Sequence, residues 1–385
     1  MYISKILIRY KLLRRRYIYL MLVLLILIAS IISLSSHAIL SIDYSFRNYI
    51  GSNSKNILIV YDNRSSTPFT GAISTSIIDI IKSKYNVGVI SPEIIIPAYM
   101  NDHLIIVRGV DPHRFKELVK LNVIDGRYLT PDDLSSGIIG FKIARKYGIK
   151  VGDTVLIVGL ITKVIEFIKI VGIFKSNACY DYELIVTLPI ARILRGFDAK
   201  HVTIIRFKII TKGFATSNKS SIAVKTISSV KASSKLVSKV PSSISIIKSN
   251  EYIIRYLHKY GYDPSTLLII AILTPLIALY SLRHIVSSFI IEHSDILSIL
   301  RSYGLTNIEV RVILLLKLMI YIILASIAGF IIGYIVVYVL WDLYNLNYII
   351  HVDPPPPDLR ILVVTIAVIL ILYIVFLFKS RYEEV

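Results

Sequence analysis

The sequence is short of the residues that most often announce chemistry. It holds one cysteine, Cys179, in 385 residues. A single thiol excludes an intrachain disulfide and any multi-thiolate metal site, and Cys179 reads as a small buried hydrophobe. Acid is scarce as well: 25 Asp and Glu stand against 44 Lys and Arg, a formal charge of +19. Such an excess suits nucleic acid, anionic lipid or a solvated surface. Here it gathers at the borders of apolar runs and in Lys/Ser-rich stretches. No aromatic-basic motif accompanies it, so nucleic acid is not an expected partner. No P-loop, GxSxG elbow or HExxH helix occurs. The eight histidines are scattered. Asp111 and His113 stand close together, but a pair at this spacing fits a turn with a solvated imidazole better than a metal site. The sequence thus offers no catalytic, cofactor-binding or metal-binding set. If ATP drives this protein, another chain must bind it.

What is abundant is apolar surface. Apolar residues make up 55% of the chain and the mean hydropathy is +0.69, against about 45–50% apolar for an ordinary soluble domain. They concentrate near the N-terminus and in the last third. A membrane span needs roughly 20 apolar residues, and four candidates qualify. The first covers residues 17–42, behind Arg14, Arg15 and Arg16. A cleavable signal peptide with Ser36 and Ala38 at its end is the rival reading, and the length of the apolar run favours a retained helix. The second, 263–282, opens at Asp263-Pro264, a capping residue followed by a proline that fits the first turn, and Pro275 is expected to kink it. The third covers 318–341, with Tyr338 and Trp341 suited to an interface. The fourth covers 359–378, after the PPPP run at 354–357.

Charge orients these spans. Residues 1–16 carry six basic residues and no acid, whereas 342–358 carry Asp342, Asp353 and Asp358 and no Lys or Arg. Basic segments stay on the cytoplasmic side. Both termini (1–16 and 379–385) and the loop 283–317 are therefore expected in the cytoplasm, with 43–262 and the short loop 342–358 outside. Two Asn-x-Ser triplets, at Asn63 and Asn218, fall in the outer part. The expected fold is a membrane protein with four transmembrane α-helices and a large mixed α/β extracytoplasmic domain inserted between helices 1 and 2.

Within that domain, ILIVYD (57–62), LIIVRGV (104–110), GDTVLIV, IKIVGIF and 243–247 read as strands. Residues 73–85, PHRFKELVKL after Asp111, 219–240 and 250–260 read as helices.

Several of these segments also carry a resemblance. RGVDPHRF (108–115), DGRYLTPDD (125–133), IARKYGIKVGDTV (143–155) and IVGIF (170–174) occur in the order of the motifs of MacB/FtsX-like ABC permeases. EHSDILSILRSYGLTNIEV (292–310) resembles that family's E-R-x-x-E-I-x-x-L-R-x-x-G signature. Glu292, Asp295, Ile296, Leu300, Arg301 and Gly304 occupy its positions, with His293 for a usual Arg and Asp295 for a usual Glu. The plan of one span, a large external domain and three more spans is also similar.

The resemblance implies a permease subunit in the cell membrane. It would pass ATP-driven motion from a separate cytoplasmic ABC ATPase to its external domain, pair with a second permease subunit (homo- or heterodimer), and act on an unknown external substrate or partner. The six signature residues would couple to the ATPase. The residues support that geometry independently. Ile296, Leu300 and Tyr303 share one helix face, Gly304 suits a left-handed C′ position, and Thr306 with Glu309 forms a capping box for the next helix. The same short helix could instead lie in the lipid interface. Ala325, Gly329 and Gly333 recur every four residues, a pattern for close helix packing either in a dimer or within one chain. Two other readings stand beside the transporter: an FtsX-like adaptor that regulates an external partner such as a cell-wall hydrolase without carrying cargo, and a membrane-anchored receptor or scaffold outside the ABC class.

Overall fold

The computed structural model describes residues 15–50, 57–210, 243–260, 301–344 and 352–379, with isolated positions between 269 and 299 and at 346. The chain divides into two units. One comprises Met1–Asp43, Asp263–Asn345 and Pro354–Val385; the other comprises Tyr44–Tyr262 and Leu346–Asp353.

The first unit is helical. Helix α1 (Arg15–Asn48) is apolar through most of its length and ends where the Asn48 side chain donates to the Tyr44 carbonyl at 2.7 Å. Arg47 lies in that last turn, where a cation suits the helix dipole. Among the described residues, two more helices are long and apolar enough to cross a membrane, within Leu318–Leu343 and Leu359–Phe376. Most of the second expected span, 263–282, lies outside the described residues; Ile269, Leu273, Tyr280 and Leu282 are helical. The third span is part of a longer helix than its apolar run announced. A complete Thr306–Glu309 capping box starts it at Asn307, and it runs to Leu343. We refer to Asn307–Leu343 and Leu359–Lys379 as α7 and α8. Asp358 precedes α8, accepts from the Arg360 amide at 2.9 Å and pairs with its guanidinium. Leu25, Ala29 and Ile32 of α1, Leu318, Ile322 and Ala325 of α7, and Ile369 and Tyr373 of α8 form a shared buried cluster. Many remaining apolar side chains of these helices, Leu27, Ile331 and Val363 among them, are exposed in the protein alone, as helices solvated by lipid require.

The second unit is the mixed α/β domain. Its strands are β1 (Ile57–Asp62), β2 (Ile73–Ser74), β3 (Val87–Met100), β4 (His103–Val110), β5 (Asn122–Gly126), β6 (Ser136–Gly140), β7 (Thr154–Gly159), β8 (Ile165–Lys175), β9 (Glu183–Thr187), β10 (His201–Val202), β11 (Ile204–Ile209) and β12 (Ile244–Lys248). The main sheet has the order β12-β1-β11-β3-β4-β9-β6-β8-β5. β7 bonds to both β3 and β8, so β3, β4, β9, β6, β8 and β7 close into a hydrogen-bonded ring. β4 with β9 and β6 with β8 are parallel. The other pairs are antiparallel.

Among the described residues, five short helices cover or edge the sheet. α2 (Ile77–Lys84) buries Ile77 and Ile81, one helical turn apart. α3 (Pro112–Leu118) begins where the Asp111 carboxylate accepts from the amides of His113 and Arg114, so Asp111 and His113 form a helix cap. α4 (Phe141–Tyr147) and α5 (Leu188–Arg195) both end on a left-handed glycine, Gly148 and Gly196. α6 (Tyr252–Lys259) buries Tyr252, Ile253 and Tyr256.

The helix expected over 73–85 is shorter than its periodicity indicated. Ile73 and Ser74 pair instead with Val202 and His201, which buries Ile73. The expected helix at 219–240 lies outside the described residues.

Candidate coupling site

The most unusual feature of the α/β domain is a set of fully buried charges at the exit of α1. Glu93 lies on β3, Arg108 on β4, Glu183 at the start of β9 and Arg206 on β11, which are four consecutive neighbours in the sheet. Arg108 donates to both Glu183 oxygens, Nε at 2.5 Å and Nη2 at 2.7 Å, and through Nη1 to Glu93 at 2.7 Å. The other Glu93 oxygen accepts from Arg206 Nε at 2.6 Å. Two cations and two anions cancel inside the core, which offsets a desolvation cost of several kcal/mol per ion. Burial alone would lower the Arg108 guanidinium. The Glu183 and Glu93 carboxylates outweigh it and hold Arg108 well above the ordinary arginine value. Arg206 is shifted the same way, burial opposing and Glu93 prevailing.

The network ends on the main chain just past α1. Arg206 Nη1 donates to the Tyr180 hydroxyl at 2.6 Å and to the Ile50 carbonyl at 3.2 Å, and Tyr180 donates to the same carbonyl at 3.1 Å. The Tyr180 ring faces both guanidinium groups, 5.0 Å from Arg108 and 5.7 Å from Arg206. Ile50 is itself buried. The backbone leaving α1 is therefore held by side chains whose other ends are fixed in the centre of the sheet. Tyr180 sits on a single 3₁₀ turn, Cys179–Tyr182. The Asp181 carboxylate stiffens that turn by accepting from the Ser176 amide and hydroxyl and the Asn177 amide. Burial raises the Asp181 carboxyl despite those bonds and pushes the Cys179 thiol well up. Cys179 is thus an inert core residue.

Of the six signature positions, Glu292, Asp295, Ile296 and Leu300 lie outside the described residues. Arg301 and Gly304 are described. The Gly304 amide donates to the Arg301 carbonyl at 2.8 Å, with φ at +87°. A Cβ there would meet nothing within 4 Å, so glycine serves the backbone angle rather than space. The capping box of α7 follows two residues later.

Gly329 and Gly333 of α7 lie against α1 of the same chain. A Cβ on Gly329 would come 2.5 Å from the Ala29 Cβ, and one on Gly333 2.7 Å from the Leu34 amide nitrogen. Ala325 is buried in the shared helical cluster. The contact is completed by groups that sequence reasoning passed over. Ser33 Oγ donates to the Phe330 carbonyl at 3.0 Å, and buried His37 packs between the rings of Phe330 and Tyr334 at 5.2 and 5.3 Å. The buried charges were missed too. The available signal was Glu93, a carboxylate inside the apolar run VISPEIII, since a charge there needs a buried partner.

Residues 20–234 match the family model for the MacB-like periplasmic core domain, and residues 268–382 match that for the FtsX-like permease C-terminal region. Among solved structures, the periplasmic region of MacB from Actinobacillus actinomycetemcomitans is 13% identical over 53% of this chain and 92% of that one, with a TM-score of 0.35. The extracellular domain of the noncanonic ABC-type transporter YknZ from Gram-positive bacteria is 16% identical over 50% of this chain and 100% of that one, with a TM-score of 0.34. No curated protein sequence matches the chain.

Proposed function

Since the chain belongs to the family of FtsX-like permeases with a MacB-like periplasmic core domain, we propose that it is the membrane subunit of an ABC-type machine, working by mechanotransmission. A separate cytoplasmic ATPase binds and hydrolyses ATP. Its closure moves the helix around 295–303, and the spans carry that motion to the α/β domain outside the membrane. Two permease chains and two ATPase chains make the working assembly, and the moving domain exports or extracts a substrate.

The observation that carries this reading is the clamp on Ile50. A membrane helix that is to move a domain must not slip at the join. Arg206 and Tyr180 grip the carbonyl just beyond α1, and Glu93, Arg108 and Glu183 tie that grip to four sheet strands. At the other end of the proposed path, a left-handed glycine at Gly304 precedes the capped start of α7, which supports a tight turn between the proposed coupling segment and the third span. Energetically, ATP can bias the outer domain only if the ATPase contacts differ between two states of the chain. The coupling helix is where that difference arises. The sequence has no phosphate-cradling loop, in keeping with hydrolysis on a partner.

Leu300→Asp tests the reading. It places a charge in an apolar contact, a costly burial, outside the spans. The expected protein inserts normally and retains its outer fold, but no longer co-purifies with an ATPase and loses ATP-dependent protection of the α/β domain from protease. Wild-type behaviour in both assays would make the segment an interfacial helix and remove the mechanism.

A further inference from the structure

The run PPPP at 354–357 and the segment before it have no part in the mechanism so far. Leu346–Asp353, from the connection between α7 and α8, belongs to the α/β domain. Its last two residues are seated there. Val352 is 5% exposed and joins a core cluster with Val110, Phe115, Phe174, Cys179 and Tyr180. The Asp353 carboxylate accepts from Lys142 Nζ and from the Tyr182 hydroxyl. Lys142 Nζ also donates to that hydroxyl at 2.9 Å and lies 4.9 Å from the Tyr182 ring centre.

Tyr182 and Tyr180 belong to the same 3₁₀ turn, so one four-residue element holds both the exit of α1 and the α7–α8 connection. Four consecutive prolines then lead towards α8. Proline fixes φ and drives the residue before it into an extended conformation, so the run spans roughly 12 Å as a semi-rigid spacer.

We propose that Val352 and Asp353 form a releasable clip on the α/β domain, that the proline run is its rod to α8, and that the Cys179–Tyr182 turn is the junction where this second linkage meets the first. The inference rests on the mechanotransmission reading for its purpose. Two features make the clip releasable. The Lys142–Asp353 pair is solvent-facing, with the Asp353 side chain about half exposed, so it is screened and weak. Among the described residues, the apolar part of the seat is Val352. The Ile50 clamp, by contrast, is buried throughout. Motion of α7 and α8 can therefore unseat the clip while α1 remains fixed, which gives the domain a held and a freed state.

The test uses the full chain in native membranes with a membrane-impermeant maleimide, the modified residue being identified by mass spectrometry. Val352→Cys replaces the buried valine with a thiol of similar size, and native Cys179, fully buried, reports whether the domain is intact. Without nucleotide, Val352→Cys is expected to label slowly. Adding Asp353→Lys should speed labelling about tenfold with Cys179 still unreactive, and Lys142→Asp in the same chain should restore slow labelling. Trapping the membranes with ATP and vanadate should change the rate at position 352 several-fold. Replacing the four prolines by Gly and Ser should abolish that change and leave the nucleotide-free rate as it was. Fast labelling of Val352→Cys alone, or indifference to the charge swap, overturns the clip. A rate unaffected by ATP and vanadate, while nucleotide still protects the domain from protease, overturns the releasable device and leaves mechanotransmission standing. Loss of both nucleotide responses overturns the parent reading and the clip with it.

Discussion

The α/β domain and the helical unit are held together by different physics. In the domain, specificity comes from buried charge: Arg108 has one geometry in which Glu93 and Glu183 both pair with it, Arg206 is held by the other Glu93 oxygen, and any slip of β3, β4, β9 or β11 would strand an ion in the core. In the helical unit the contact between α1 and α7 relies on missing side chains. Gly329 and Gly333 let the backbones approach, because lipid offers apolar helices no hydrophobic drive to associate and close packing must supply it. The first kind of contact depends on matched charges; the second depends on close backbone approach.

The comparison can be broken most severely at Glu93. Glu93→Ala leaves two guanidinium groups facing each other and is expected to destabilise the α/β domain by about 3–5 kcal/mol, read by denaturant unfolding, without altering membrane insertion. Arg108→Met with Glu183→Leu removes one cation and one anion together and should cost less than either single change. If the double change costs the sum of the two, the charges act independently and the network description is wrong.

The helical unit should respond to added volume. Gly329→Val or Gly333→Val forces a Cβ onto the α1 backbone and is expected to cost about 1–3 kcal/mol of helix packing. Detergent-titrated unfolding should move while the melting of the α/β domain stays in place. An equal shift in both units would show that they do not separate energetically as argued.

Gly304 sharpens the contrast at a single residue. The site has room but a left-handed backbone, so Gly304→Val should cost about 1–2 kcal/mol and Gly304→Asn clearly less. Proteolysis at the start of α7 measures it; equal effects would mean that side-chain bulk, rather than φ, matters there.

The smallest effect belongs to a pair whose cation, Arg127, is half exposed although Asp133 itself is buried. Asp133 accepts two bonds from Arg127 at 2.7 Å and two from Thr130 at 2.8 Å, and the Arg127 guanidinium holds its carboxyl far below the usual range. A carboxyl lowered by folding stabilises above its unfolded pKa and loses that contribution as the pH falls below about 4 towards the folded value. Asp133→Asn should therefore cost about 1 kcal/mol or less at pH 7. The gap between wild type and variant should narrow progressively on acidification. A gap independent of pH would assign the effect to packing.

Local features were legible in the sequence because they depend on residues a few positions apart. The apolar runs of α1, α7 and α8, the Asp111 cap, the left-handed turn at Gly304 and the Thr306–Glu309 capping box each need only their own neighbourhood. Strand β3 was hidden by Pro92 and Pro97, residues that usually argue against a paired strand. Here they lie opposite Ile205 and Ile106 in continuous ladders. The close approach at Gly329 and Gly333 was readable as a pattern, but its partner α1 was not, since nothing in the spacing distinguishes a helix of the same chain from one of another.

The sequence by itself determined the capped start of α7 and which described segments are apolar enough for lipid, and it held at Glu93 an unread signal for a buried partner. Only the tertiary structure decided which partner. Arg108, Glu183 and Arg206 meet because strand order places β11, β3, β4 and β9 side by side, across separations of up to 113 residues. The same holds for Asp353, whose partner Lys142 is 211 residues away. A cap is settled by a few backbone angles, whereas a buried ion pair is settled by the whole sheet, because only the closed sheet excludes the water that would otherwise solvate each charge alone.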